Sequence, residues 1–225
     1  MKDNISKYFD LVQQRPEWFV QELALELVLD EQKMREFAKK THCKMGLVHN
    51  QEPFFYVVAD LCRSVSGKLY SYARVLQCGK GTNGVVTLLR YKDSIGLMRV
   101  FRHGSRRWSL EAPRGYAELG LTLEENMKRE LAEELGLETS HYQLFYLGNI
   151  RADAGLSSGQ AAVFCTEILN RSAIVPTSNE GISGLNWYTP QEIQLAIKRG
   201  ELNDSFTLSA LALYEIQKAA ADVEA

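Results

Sequence analysis

Arg129, Glu130, Glu133 and Glu134 are the residues of this sequence whose types and spacing could do chemistry. Glu130 and Glu134 stand four positions apart with Glu133 between them, so on a helix the three carboxylates share one arc, where like charges repel. Residues 115–137 read GYAELGLTLEENMKRELAEELGL and mark out that helix. Thr122 and Glu125 form a Thr-x-x-Glu capping box and Gly136 supplies a stop, which predicts a helix over about 122–136. Leu123, Met127, Leu131 and Leu135 recur at four-residue steps as its buried stripe. The carboxylate arc flanks that stripe and places Glu134 at the edge of the core. Carboxylates crowded together and partly desolvated take up protons or bind a cation, and hard divalent ions such as Mg2+ prefer oxygen ligands. The plain alternative is a solvated acidic face offset by Lys128 and Arg129.

The elements around this helix can be traced from periodicity. Residues 1–44 read as helical, with segments near 3–14 and 30–41 separated by Arg15-Pro16 and a mixed apolar stretch over 19–29. From Gly46 the pattern turns to short β runs, at 46–49, 54–61, 69–76, 85–90 and 97–102, a meander that feeds the helix. Strands over 142–150 and 161–168 follow, then a loop, a strand around 185–188 and two closing helices. Thr189-Pro190-Gln191-Glu192 opens the first with a capping box and a proline at its first position, and Gly200 ends it. The second runs over about 204–220, with Leu208, Leu211, Leu213 and Ile216 available to dock.

Composition removes several function classes. A chain of 225 residues at 45% hydrophobic and 24% charged supports one substantial core plus a small appended unit. A net charge of -2 and a pI near 6.1 give no global basic field for long nucleic acid. The opening MKDNISKYFDLVQQRPEW has no apolar secretory core, and no stretch approaches the roughly 20 apolar residues of a membrane span, so a cytoplasmic location is expected. Cys43, Cys62, Cys78 and Cys165 are scattered without a CxxC spacing and read as reduced thiols. His42, His49, His103 and His141 form no ligand pair at helical spacing. Residues 79–84 match GxGxxG, but the strand-like 85–89 follows where a dinucleotide fingerprint needs a helix, so they read as a hairpin loop. Residues 155–159 match GxSxG, but a strand follows and no histidine lies beyond His141, which excludes a hydrolase elbow.

Gly115, Arg129, Glu130, Leu131, Glu133, Glu134, Gly136 and Leu137 together resemble the Nudix box, in which a glycine precedes Arg-Glu-apolar-x-Glu-Glu-x-Gly-apolar at fixed spacing. Six fixed Gly, Arg and Glu positions would arise by chance in such a chain with odds on the order of 10⁻⁵. One position departs: Leu121 stands where the family has its first glutamate, a residue described as orienting the box and its arginine. Glu118 and Glu124 are the nearby acids that could replace it. Ahead of the box, Val100-Phe101-Arg102 followed by Trp108-Ser109-Leu110-Glu111-Ala112-Pro113-Arg114-Gly115 is similar to the ADP-ribose pyrophosphatase branch, where a strand-ending arginine precedes Glu-x-Pro-x-Gly.

The resemblance covers about residues 66–220 and implies an α+β fold, an α/β/α sandwich around a mixed sheet. It divides the chain into an N-terminal helical and β extension, 1–65, and a hydrolase domain, 66–225. It implies Mg2+ or Mn2+ held by Glu130, Glu133 and Glu134 with the backbone carbonyl of Arg114, and Arg129 and Gly115 orienting the box. Arg102 would bind a substrate phosphate, helped by Arg106 or Arg107, and Glu111 would line the substrate pocket. Glu180, in Ser178-Asn179-Glu180-Gly181-Ile182, matches the family's catalytic glutamate as general base or further ligand, beside Glu133 and Glu134. The implied reaction is metal-assisted attack of water on a pyrophosphate bond of ADP-ribose or a related nucleotide sugar. Hydrolysis of nucleoside triphosphates or dinucleoside polyphosphates, and a noncatalytic nucleotide sensor, are the competing readings. Related enzymes use the N-terminal segment to form a homodimer, which is expected here. Trp108, Tyr116 and Tyr188 are the aromatics available to stack on a base, with a place in the core as the more common alternative for large aromatics in such positions.

Overall fold

The computed structural model describes residues 2–21, 25–78, 84–177 and 181–224, with side chains described up to residue 220. The chain divides into two compact units, one formed by residues 1–78 with 153–159 and the other by 79–152 with 160–225.

In the first unit, helix α1 (Asn4–Gln14) is capped by the Asp3 carboxylate, which accepts from the Ser6 amide at 2.8 Å. After the two-residue strand β1 (Glu26–Leu27), Asp30 caps helix α2 (Glu31–Thr41) in the same way through the Lys33 amide. Three strands follow, β2 (Gly46–Gln51), β3 (Phe55–Arg63) and β4 (Leu69–Gln77). β4 pairs along the whole of β3, from Phe55↔Gln77 to Arg63↔Leu69, while β2 and β1 share the other edge. Ile5, Tyr8, Leu11, Met34, Val58, Leu61 and Leu76 fill the core. The sequence places the boundary after residue 65, but the pairing of β4 with β3 carries the first unit to Cys78. Residues 153–159 join it because the Val75 amide donates to the Leu156 carbonyl at 2.7 Å and the Ser158 amide to the Val75 carbonyl at 3.0 Å.

The second unit is built on a seven-stranded mixed sheet. Its strands are β5 (Gly84–Tyr91), β6 (Ser94–Arg102), β7 (Arg107–Glu111), β8 (Arg114–Tyr116), β9 (Tyr142–Ile150), β10 (Ala161–Ile168) and β11 (Ile182–Tyr188). The spatial order is β11-β6-β5-β10-β9, with β7 on β6 and β8 on β5; β10 runs parallel to β5 and the remaining pairs are antiparallel. Alternation along β5 sends Val85 and Leu89 to one face and Val86 and Leu88 to the other. The first face packs on Met127, Leu131 and Leu135 of helix α3 (Leu123–Leu135). The second packs on Ile193 and Ala196 of α4 (Pro190–Lys198) and Ala210 of α5 (Ser205–Glu224). This is the α/β/α sandwich expected from sequence.

Three local readings need correction. β7 and β8 were not legible as strands, and β11 begins at Ile182 rather than near Leu185. The expected meander is also broken after β4, because β2, β3 and β4 pair in one sheet while β5 and β6 pair in another. β10 follows the GxSxG segment directly, as a strand, so that motif opens no helix. The GxGxxG match lies, except for Gly84, outside the described residues; Gly84 begins β5.

Candidate active site

Helix α3 holds the acidic cluster through local chemistry. Thr122 Oγ1 accepts from the Glu125 amide at 3.1 Å and the Glu125 carboxylate accepts from the Thr122 amide at 2.7 Å, closing the capping box. Gly136 ends the helix at φ 62°, a left-handed conformation that costs glycine little. Asn126, Glu130 and Glu134 follow at four-residue steps along one row. Asn126 is fully buried; its Oδ1 accepts from the Glu118 amide at 2.7 Å and its Nδ2 donates to the Thr122 carbonyl at 2.9 Å, which fixes the loop ahead of the helix.

Glu130 is only 7% exposed and lies against Gly115 of β8. A Cβ built on Gly115 would meet the Glu130 Cδ at 2.0 Å, so the glycine is required for space rather than for its backbone angles. Arg129 gathers the neighbouring groups. It donates to Glu130 Oε1 at 2.6 Å, to Glu133 Oε2 at 2.6 Å and to the Tyr116 carbonyl at 3.0 Å. Its Nε also stands 3.6 Å from Glu118 Oε1. Glu124 pairs instead with Lys128 at 2.6 Å, so Glu118 is the acid that reaches the arginine where Leu121 cannot.

Glu134 is different in kind. Its Oε2 is buried and has no hydrogen-bond partner among the described residues. Burial and the like charge of Glu130 push its carboxyl up to about 7, against the opposing pull of Arg102 and Arg114. Burial also raises Glu130, although Arg129 partly offsets it. A carboxylate oxygen buried without a donor beside a second buried carboxylate fits a hard divalent cation, which would satisfy the lone pairs and relieve the repulsion. Among the described residues no three His, Cys, Asp or Glu side chains converge on one point, since Glu133 is turned to Arg129.

A second network faces this one. Glu111 ends β7 with its side chain 2% exposed, and it accepts from Arg102 Nε at 2.9 Å and from Arg114 Nη2 at 2.9 Å. Burial works to raise the Glu111 carboxyl, but Arg102 and Arg114 outweigh it and hold it below its ordinary value. Arg102 keeps 40% of its side chain exposed. Arg106 is committed to His103 Nδ1 at 2.7 Å and to the face of Phe101, and Arg107 begins β7 exposed to solvent. Neither bonds to Glu111. Trp108 and Tyr116 are exposed, whereas Tyr188 packs into the core beside α4 and α5.

The family model of the NUDIX domain matches residues 81–208. The chain belongs to that family. Among solved structures, one titled "Crystal structure of ADP compounds hydrolase" is similar to it at 18% identity and a TM-score of 0.59, over 79% of this chain and 93% of the other. That likeness is one of fold. No curated protein sequence matches the chain. No helix among the described residues is long and apolar enough to cross a membrane.

Of the Nudix residues expected from sequence, Glu130 lies against Gly115 and is joined by Arg129 to Glu133, Glu134 is coupled to Glu130 and Arg102, and Arg102, Glu111 and Arg114 form one ion-pair network. Glu180 lies outside the described residues. The segment before it is tied to α3, where Thr177 Oγ1 donates to the Glu133 carbonyl at 3.0 Å. Sequence reasoning missed Asn126 and Asp204. Asn126 was visible as the first member of the row that continues through Glu130 and Glu134. Asp204, whose carboxylate lies 3.2 Å from Arg114 Nη2, gave no signal, because its partner is distant in the chain.

Proposed function

We propose that the chain is a metal-dependent pyrophosphohydrolase acting on a nucleoside diphosphate joined to another group, ADP-ribose or a related nucleotide sugar. The observation that carries this is the donorless buried Oε2 of Glu134, next to Glu130 and electrostatically coupled to Arg102. NUDIX membership and the fold of an ADP compounds hydrolase support it.

Glu130 and Glu134, with the Arg114 carbonyl and with Glu133 once it turns from Arg129, would hold Mg2+ or Mn2+, which when bound neutralises diphosphate charge and lowers the pKa of water. The remaining work belongs to side chains. Arg102, kept half-exposed by its contact with Glu111, presents a guanidinium to the nonreacting phosphate and to charge developing there. Arg129 restrains Glu130 and Glu133. Glu180 is the general base in this reading. A homodimer formed through the N-terminal unit and a cytoplasmic location complete it, with small nucleotides rather than long nucleic acid as partners.

The test is hydrolysis of ADP-ribose, other nucleotide sugars, dinucleoside polyphosphates and nucleoside triphosphates in Mg2+ and in Mn2+, beside Glu134→Gln. Release of AMP from ADP-ribose, reduced more than about 100-fold in the variant, supports the reading. Leu121 favours a noncatalytic sensor as the second reading; nucleotide binding without turnover in either metal would establish it.

A further inference from the structure

Asp204 and the first turn of α5 hold Ala112 and Arg114, at the junction of β7 and β8, through three contacts. Asp204 Oδ1 lies 3.2 Å from Arg114 Nη2, and the Arg114 guanidinium stacks 4.2 Å above the Phe206 ring. The fully buried Thr207 accepts from the Ala112 amide at 2.9 Å through Oγ1 and donates from that oxygen to Asp204 Oδ2 at 2.8 Å. Asp204 also caps the helix through the Thr207 amide at 2.9 Å.

What this clamp holds is the chain of charges behind Arg102. Asp204 takes one side of Arg114, Arg114 donates to Glu111 from Nε at 3.2 Å and Nη2 at 2.9 Å, and Glu111 takes the Nε and Nη2 edge of Arg102. Glu111 is buried and cannot rotate toward water, so the direction of Arg102 depends on where Arg114 and the Ala112 backbone are fixed. Asp204 and Glu111 balance Arg114 and Arg102 in charge, and Asp204 is itself 9% exposed on its side chain, so its attraction is little screened.

We propose that the start of α5, through its cap Asp204 and through Phe206 and Thr207 of its first turn, is a positioning element that aims Arg102 at a substrate phosphate by way of Arg114 and Glu111. This rests on the phosphate-binding role given to Arg102 above. Asp204 touches no substrate in this account; it acts through two other side chains.

A double-mutant cycle in the full-length chain tests it, using Asp204→Asn, Thr207→Val and Arg102→Met. The readouts are KM and kcat for ADP-ribose with Mn2+, and the calorimetric affinity for ADP-ribose. Asp204→Asn and Thr207→Val are each expected to weaken binding or raise KM by about tenfold, the scale of one charge-assisted hydrogen bond, with kcat changed less. In the Arg102→Met background the same changes should add less than about twofold, because the group they aim is gone. Equal factors in both backgrounds would mean a structural role unrelated to Arg102 and would overturn the inference. So would no effect of either variant in the parent, or an Arg102→Met that binds as the parent does. A parent that binds ADP-ribose without turnover removes the hydrolase reading, while the affinity cycle still decides the role of the clamp. Thr207→Val leaves both charges in place, so it reports if Asp204→Asn fails to fold.

Discussion

Glu134 carries the unbalanced charge of the site, and its behaviour with pH follows from that. A carboxyl raised to about 7 from an ordinary 4.5 binds its proton more tightly in the folded chain than in the unfolded one. The folded state is therefore unburdened by this group at acid pH and loses stability as pH rises from about 4.5 to about 7. Metal-free protein should accordingly melt below Glu134→Gln at pH 8, with the gap closing toward pH 4.5. Calorimetric scans of both proteins across that range check it, and a pH-independent gap would remove the assignment. Cation binding must displace the same proton, so metal affinity should rise with pH through about 7. Gly115 makes a steric prediction at the same site. An alanine there would place its Cβ 2.0 Å from the Glu130 Cδ, and the carboxylate would have to leave its seat. Gly115→Ala should cost about 1–3 kcal/mol in urea unfolding and weaken metal binding together with it. A loss below about 0.5 kcal/mol with metal binding intact would show that Glu130 has room to move, since exposed substitutions cost no more than that.

At the scale of elements, α3 depends on its caps and on its stripe to different degrees. Thr122→Ala removes the acceptor for the Glu125 amide and should cost about 1 kcal/mol, whereas Leu131→Ala empties a fully buried position and should cost about 2–5 kcal/mol. Chemical unfolding of the two variants checks the order, and a Thr122→Ala cost equal to that of Leu131→Ala would mean the cap does more than end a helix. This helix was also the most legible part of the sequence. Its cap, its stop, its apolar stripe and its carboxylate arc are all relations between residues three or four positions apart, and the structure reproduces each one. β7 and β8 were hidden for the opposite reason. They are short and Pro113 lies between them; Trp108 and Leu110 alternate along β7 for only five residues, β8 has three residues and no apolar pattern, and pairing with β6 and β5 supplies what so little sequence lacks. The place of β10 beside β5 was likewise invisible, because both strands are apolar on both faces and periodicity does not name a partner. In the candidate site the same division holds. Glu130 and Arg129 could be read from spacing, while the contact of Arg114 with Asp204 depends on tertiary structure alone.

On the scale of the whole molecule, the described residues of each unit bury a core of their own, which in the second unit lies on both faces of the sheet. Tyr8, Met34, Leu61 and Leu76 are buried in the first unit, and Leu88, Leu97, Met127 and Leu131 in the second, each set within its own sheet and helices. The first unit also has its own buried polar network, in which Asp60 accepts from the Tyr8 hydroxyl at 2.5 Å and pairs with Arg74. A core complete within its own unit can melt by itself, so unfolding should depart from a single two-state transition. The expected result is a van't Hoff enthalpy below the calorimetric one, with the two transitions assigned by mutation. Met34→Ala, at a fully buried position of the first unit, should lose about 2–5 kcal/mol from one transition and leave the other in place; Leu131→Ala should do the reverse. Hydrolysis measured between the lower transition of Met34→Ala and that of the parent then tells whether the catalytic apparatus needs the first core. All the candidate metal and phosphate-binding residues named from the described part of the chain belong to the second unit. If that unit outlasts the first on heating and Met34→Ala lowers activity at the same temperature, the N-terminal unit contributes to turnover. A single transition lowered equally by both variants would instead show that the two cores fold as one.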